Sequence, residues 1–510
     1  MELRNYDCNL TISIDYFFRI YGDNVLECEL FVDWLKHNDS NFSFIEEVGP
    51  IDRPIIIFKD SVSKKIFGFH MTSFYGGTQK SVWPNSPLGG IFNEKPDVLI
   101  VKINSDYTES DPLFVIEFDD ALQAGNQSWQ RSRRAVNSVQ SHIPYFYVLP
   151  LIGWEKGTDG LSLKNPRFQN AMVATGQLAL SFEEGIMSLQ IYKNSAWSDY
   201  ANQQGHTLPE GYGTFSGLSS AIKLTAHLIR SSVIKNTTFP KKDLEIIINE
   251  MLNVAKTYSE FSETSLSIHK NHPALDVSNR NLVTMQLIDN IIAKKKITNK
   301  FNLNEISSKE FFQNGSLFYK DAQTKTTSPN FQSKLLKKIN WKSNDSKLNQ
   351  IKWLKEWNVS INNSLSPEEN ALKNKNLIPI SYKDKKSESA IIGNRKVLRK
   401  LIADTYPKIK TEILDWIYSS KSSKEPIFFI PMNGYKPSGT SRPDTGLLAY
   451  LYSNFPKVLT KKNTMLVMYS KHTPINWKTI LHNDSNQLLG SIKEYCGLMI
   501  VDRTGDGELL

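Results

Sequence analysis

The sequence predicts an α/β protein: a mixed sheet near the N-terminus, a helical connector, and a second α/β unit at the C-terminal end. Over residues 23–152 the apolar pattern runs helix, several strands, helix, strand, which is the order of an α/β sandwich. Between 236 and 375 the composition shifts toward Lys, Asn and Ser around two amphipathic stretches, DLEIIINEMLNVAKTY and LVTMQLIDNIIAKKK. Apolar runs then resume in PIFFIPM, TMLVMYS and YCGLMIV, after the helical VLRKLIADTYPKIKTEILDWIYSS. A chain of 510 residues exceeds what one core usually serves, so three segments are expected, at 1–235, 236–375 and 376–510.

The first helix is expected from Val25, Leu26, Leu30, Phe31, Trp34 and Leu35, which recur at helical spacing behind a cap at Asp23 or Asn24. FSFIEEV, RPIIIFKD and KKIFGFHMTSF are separated by Gly, Pro and Asp and read as a strand meander. PDVLIV and LFVIEF are the next strands, joined by the polar NSDYTESDP. A helix follows in ALQAGNQSWQRSRRAVNSVQ, with Leu122, Trp129, Val136 and Val139 as its packing stripe, and PYFYVLPLIGW is a further strand. Residues 160–235, with LQIYKNSAW and the glycine turn GYGTFSG, complete the first domain.

Several function classes are excluded on composition. Lys and Arg outnumber Asp and Glu by 61 to 52, a formal charge of +9, which suits a polyanionic partner without demanding one. Three cysteines without CxxC spacing speak against zinc and against a disulfide framework. Neither a leader pattern nor a run of 18 apolar residues is present, so the expectation is a cytoplasmic protein with no membrane partner. HExxH, GxxxxGK[ST] and a complete dinucleotide-binding pattern are absent, which removes zinc proteolysis, ATP-driven work and a Rossmann cofactor.

The chemistry concentrates in KPDVLIVKINSDYTESDPLFVIEFDDALQAGNQ, residues 95–127. Asp97 opens one apolar strand, and Glu117, Asp119 and Asp120 close another. Carboxylates beside buried strands repel one another and lose hydration, so the arrangement calls for a cation. Strand alternation sends Glu117 and Asp119 to one side and Phe118 to the other. With the Asp97 strand alongside, three carboxylates converge, and such hard oxygen ligands suit Mg²⁺, with Mn²⁺ as the substitute.

Pro96-Asp97, a strand, a loop and Glu117-Phe118-Asp119 at a strand end resemble the PD-(D/E)xK nuclease superfamily. The resemblance covers roughly residues 23–152 and implies a restriction-endonuclease-like αβββαβ core in which Asp97, Glu117 and Asp119 hold the metal. The superfamily usually carries Lys where Asp119 stands, a slot in which some restriction endonucleases have Glu or Gln. Lys102 lies five positions beyond Asp97, on the opposite face by alternation. Gln123, Gln127, Arg131 and Arg134 fall at steps of four, four and three on one helix face opening near the site, a stripe that resembles the helix glutamines of some nuclease families.

In that scheme Gln127 assists catalysis, and Gln123, Arg131 and Arg134 contact nucleic acid. A solvated basic turn is the plainer account of the arginines. Glu27 on the first helix is a further acid that could face the site, with Glu46 and Glu47 as competitors. Two more signals stand outside this scheme: Arg442-Pro443-Asp444 in a Gly/Pro-rich passage, and the lysines and tryptophans from Lys334 to Trp357, which suit either strand tracking or helix packing. The expected function is a Mg²⁺-dependent endonuclease acting on DNA in prokaryotic restriction or antiphage defence, as a homo-oligomer or with a defence-system partner. The alternatives are a non-catalytic nucleic-acid-binding or assembly protein and an RNA nuclease.

Overall fold

A computed structural model of the chain describes residues 12–22, 24–73, 96–119, 131–150, 152–156, 163–168, 171–193, 215–261 and 277–294. Toward the C-terminus it describes 377–381, 389–393, 406–419, 427–433, 453, 464–469, 496–502 and 508–509. Gln123, Gln127, the lysine and tryptophan stretch, and Arg442–Asp444 lie outside the described residues.

The N-terminal part is α/β with a mixed eight-stranded sheet. Its strands are β1 (Tyr16–Gly22), β2 (Phe42–Val48), β3 (Ile55–Asp60), β4 (Ile66–Ser73), β5 (Val98–Ile103), β6 (Phe114–Phe118), β7 (Tyr145–Pro150) and β10 (Ser188–Lys193), in the spatial order β10-β7-β6-β5-β1-β4-β3-β2. β8 (Ile152–Lys156) and β9 (Leu163–Phe168) form a separate two-stranded ribbon. β5 runs antiparallel to both β1 and β6, and β7 is parallel to β6 and to β10. Helices α1 (Val25–Asn38), α2 (Ser132–Gln140), α3 (Ala171–Glu184), α4 (Gly217–Ser231), α5 (Lys241–Phe261) and α6 (Val277–Ala293) accompany this sheet.

α1 starts where the sequence places it, with the Asn24 side chain accepting the Glu27 N–H at 3.1 Å. Its buried stripe is shifted from the expected one. Cys28, Phe31, Val32 and Leu35 are buried, at spacing i, i+3, i+4, i+7, whereas Leu26 is 70% and Leu30 46% exposed. Apolar periodicity admitted either stripe, and docking on the sheet selected one. Phe31 meets Phe114 at 5.7 Å between ring centres, and Trp34 meets Phe118 at 5.0 Å. Phe118 therefore packs on the α1 side, as alternation requires. Lys102 also turns away from the acids, its ammonium donating to the Ser232 carbonyl at 3.3 Å.

One apolar cluster gathers Phe18, Ile100, Phe146 and Ile191 from the sheet with Leu244, Ile247 and Met251 from α5 and Leu287 and Ile291 from α6. Both expected amphipathic helices of the 236–375 segment thus bury their apolar faces against the N-terminal sheet's core. Asn290 of α6 donates to the Phe182 carbonyl at 2.5 Å, tying α6 to α3.

Further along, β11 (Leu377–Ser381), β12 (Ser389–Gly393), β13 (Ile427–Asn433), β14 (Thr464–Tyr469), β15 (Leu498–Asp502) and β16 (Glu508–Leu509) form a six-stranded sheet in chain order, with α7 (Lys410–Ser419) between β12 and β13. From β11 to β15 the neighbours are antiparallel twice and then parallel twice. The series β1, β5, β6, β7, β10 has the same relations. β13 ends on Pro431, Met432 and Asn433, with no carboxylate.

Gly22 closes β1 where three parts of the N-terminal unit meet. A Cβ there would lie 2.6 Å from Cys28 Sγ, 2.8 Å from the Asn24 carbonyl oxygen and 3.0 Å from that of Asp97. Two of these neighbours are backbone and the third is in the core, so none yields cheaply. Gly22→Ala is expected to destabilise the protein by about 1–3 kcal/mol, read as a lower urea midpoint. An unchanged midpoint would show that the rim is looser than these distances require.

Candidate active site

Strand pairing gathers the acids at one rim of the eight-stranded sheet. β5 begins beside the end of β6, with Val98 opposite Ile116, so Asp97 lies next to Glu117. The Asp97 carboxylate accepts the Phe118 N–H through Oδ2 at 2.7 Å, which pins the start of one strand to the end of its neighbour. The Asp119 N–H continues the ladder to the Val148 carbonyl at 2.9 Å. All three side chains are withdrawn from solvent: Asp97 is 8% exposed, Glu117 0% and Asp119 5%.

The structure brings Arg131 and Arg134 onto the acids directly. Both come from the start of α2, on the face opposite α1. Arg131 Nε lies 2.9 Å from Glu117 Oε1 and 3.8 Å from Asp119 Oδ2. Arg134 Nη1 lies 3.5 Å from Asp97 Oδ1 and pairs more closely with Glu117. Each arginine thus bridges Glu117 and one of its neighbours. Both guanidinium groups reach Glu117 Oε1, whereas Glu117 Oε2 is buried with no hydrogen-bond partner among the described residues. A buried carboxylate oxygen without a donor is under-satisfied and marks a place where a further partner would be stabilising.

Two tyrosines complete the floor, and neither figures among the residues expected from sequence. β6 and β7 pair Glu117 with Tyr147 and Val115 with Tyr145, so both phenols share the acids' face. Tyr147 donates its O–H to Asp119 Oδ2 at 2.8 Å, and Tyr145 donates to the Arg131 carbonyl at 3.5 Å. The signal was present in PYFYVLP, where alternation puts the two tyrosines together. Burial, reinforced by the neighbouring carboxylates, raises both phenols above their ordinary range and keeps them neutral donors.

Burial pushes the Glu117 carboxyl up to about 7; Arg134 and Arg131 oppose that rise, and Asp97 adds to it. Burial likewise pushes Asp97 up to about 6, against Arg134 and the Phe118 N–H, with Glu27 adding repulsion. Glu27, in the first turn of α1, is thus close enough to Asp97 to disfavour its ionised form. Glu46 and Glu47 lie on β2 at the far edge of the sheet.

A carboxyl that ionises less readily folded than unfolded gives stability that is complete below its unfolded pKa and is lost as pH rises through its folded one. Stability is therefore expected to fall as pH rises from the ordinary carboxylate range, about 4, and to level off above the Glu117 value of about 7. Glu117→Gln should flatten much of that slope between about pH 4 and about pH 7, measured by urea midpoints. A wild-type midpoint constant across this range would contradict the buried, repelled state of the two acids.

The three acids come from two neighbouring strands and are hard oxygen donors by chemistry, and one of their oxygens, Glu117 Oε2, has no hydrogen-bond partner among the described residues. Their space is taken up by guanidinium groups, and among the described residues no group of three or more His, Cys, Asp or Glu is placed to hold a metal ion. Among the same residues no helix is long and apolar enough to cross a membrane. Compared with known proteins, the chain matches no protein family, no curated protein and no solved structure.

Proposed function

We propose that the chain is a divalent-metal-dependent nuclease that hydrolyses phosphodiester bonds of DNA, built on a restriction-endonuclease-like core. The observation that carries this proposal is Glu117, fully buried, with its Oε2 unpartnered among the described residues, and flanked by Asp97 and Asp119 at one rim of the sheet. A merely structural acid would be solvated or hydrogen-bonded. Asp97, Glu117 and Asp119 would hold Mg²⁺ or Mn²⁺, which when bound supplies an acidified water and neutralises charge on the phosphate.

The remaining roles belong to this chain's own groups. Arg131 and Arg134 offer planar forks suited to phosphate oxygens. Tyr147 holds Asp119 in position through its O–H, and Phe118 does the same for Asp97 through its backbone N–H. A cation is needed where the superfamily usually has Lys, and the two guanidinium groups supply positive charge there. A place in prokaryotic restriction or antiphage defence would follow from the superfamily resemblance.

The same ion pairs favour a second reading, a non-catalytic nucleic-acid-binding protein in which arginines have replaced the metal. Incubation of the full chain with plasmid, linear DNA and RNA, in Mg²⁺ or in EDTA, separates the two. Mg²⁺-dependent cutting of DNA that disappears in Asp97→Asn is expected. Binding without cutting under every condition would favour the second reading, and cutting confined to RNA would change the substrate class.

A further inference from the structure

We propose that Arg131 and Arg134 close the carboxylate pocket while no divalent ion is present, and move together to a nucleic-acid phosphate when an ion enters. Ion and nucleic acid then strengthen each other's binding. This inference rests on the nuclease reading and adds to it a built-in regulation of the same site.

The geometry makes the arginines an outer layer over an inner layer of acids. Side-chain exposure is 30% for Arg131 and 14% for Arg134, against 11% for Asp97, 0% for Glu117 and 4% for Asp119. Every acid of the set shares a guanidinium with another, so an ion seated between any two of them displaces at least one arginine contact. Three carboxylates facing two guanidinium groups leave one negative charge. A divalent ion added with both arginines in place would reverse the sign and set like charges against one another in a poorly hydrated pocket.

The start of α2 supports the same conclusion independently. Arg131 flanks the first described turn of α2 with αR backbone and no side-chain cap, and that turn contains no acid. Cations at that end of a helix oppose the macrodipole, so the arrangement is favourable only with anions close by. In this structure the anions are the three carboxylates. Once an ion has neutralised them, the two guanidinium groups lose their anionic partners, and a phosphodiester can replace those partners. Of the two guanidinium groups Arg131 is the more exposed, at 30% against 14% for Arg134, so it is the one with the shorter way out of the acids' shell.

Coupling of this kind is reciprocal, so it is measurable from the metal side. Mn²⁺ binding to the full-length protein can be followed by electron paramagnetic resonance, with and without a phosphorothioate DNA duplex that resists cutting. For wild-type protein the duplex is expected to tighten Mn²⁺ binding by about tenfold. Without DNA, Arg131→Gln and Arg134→Gln should each bind Mn²⁺ more tightly than wild type, and the duplex should then add little. Arg134→Lys, which keeps the charge, should stay near wild type.

Equal Mn²⁺ affinity in wild type and both glutamine variants would overturn the proposal. So would a wild-type affinity indifferent to the duplex, a comparison that needs no variant to fold. Plasmid cutting by a protein that fails these tests would leave the nuclease reading intact. Linkage without cutting in any metal would refute the nuclease reading and preserve the gate.

Discussion

Glu117→Gln is expected to reduce metal-dependent cleavage by more than about a hundredfold while leaving the protein folded. Removing a hydrogen-bonding partner of a metal ligand already lowers affinity or activity by about 10–100-fold, and Glu117 would be a ligand itself. It is also the acid that both arginines share, so its loss removes the centre of the site. The substitution keeps the volume of the side chain, and the site lies at the rim rather than in the apolar cluster. At neutral pH and above it replaces a buried charge, whose burial outweighs its two arginine partners, with a neutral amide. Thermal stability should therefore hold or rise as activity vanishes. Cutting at wild-type rate in this variant would remove Glu117 from the chemistry, whereas parallel loss of activity and folding would make its role structural.

The largest effect on stability is expected far from that site. Arg230, near the end of α4, donates from Nε to Asp60 at 2.8 Å, from Nη2 to Asp39 at 3.2 Å, and lies 4.5 Å above the Phe42 ring. Asp39 and Asp60 are 4% and 0% exposed, so both depend on this guanidinium for their charge balance. Their other bonds run to backbone: Asp60 accepts the Ser63 N–H and Asp39 the Asn41 N–H. Arg230→Met keeps much of the apolar stem but strands two buried carboxylates on one side of the sheet. Breaking a buried ion pair by removing one partner destabilises by about 3–5 kcal/mol. The variant is expected to unfold at markedly lower urea, and a loss below about 1 kcal/mol would mean that water reaches the two acids as it reaches exposed pairs.

Most of the sheet was legible because its strands announce themselves by alternation and punctuation. β2 to β7 were expected within a few residues of where they lie, and the opposed directions of Glu117 and Phe118 followed from a period of two. β1 was not among the expected strands, yet Tyr16–Gly22 sits between β4 and β5 and separates the meander from the acids' strands. That placement is a long-range pairing, which local pattern does not encode. The stripe of α1 was offset for a related reason, since Leu26 and Leu30 satisfy helical spacing equally well and only the docked sheet excludes them.

The acids were legible as a group because buried carboxylates at strand ends conflict with ordinary folding economy. Their pairing with Arg131 and Arg134 was only half visible. Spacing placed both arginines on a face near the site, but the contact itself depends on where α2 begins relative to β6. Tyr147 and Tyr145 were missed because an apolar strand containing tyrosine reads as core, and only the parallel pairing of β7 with β6 sets them beside Glu117 and Asp119.

Anomalous diffraction from crystals of the full chain soaked in Mn²⁺ tests most directly whether one ion joins the three acids. A single peak within about 2–2.5 Å of oxygens from Asp97 and Glu117, with Arg131 and Arg134 withdrawn from both, is the expected result. Saturating Mn²⁺ with no peak at the rim, and both guanidinium groups still seated on Glu117, would contradict it.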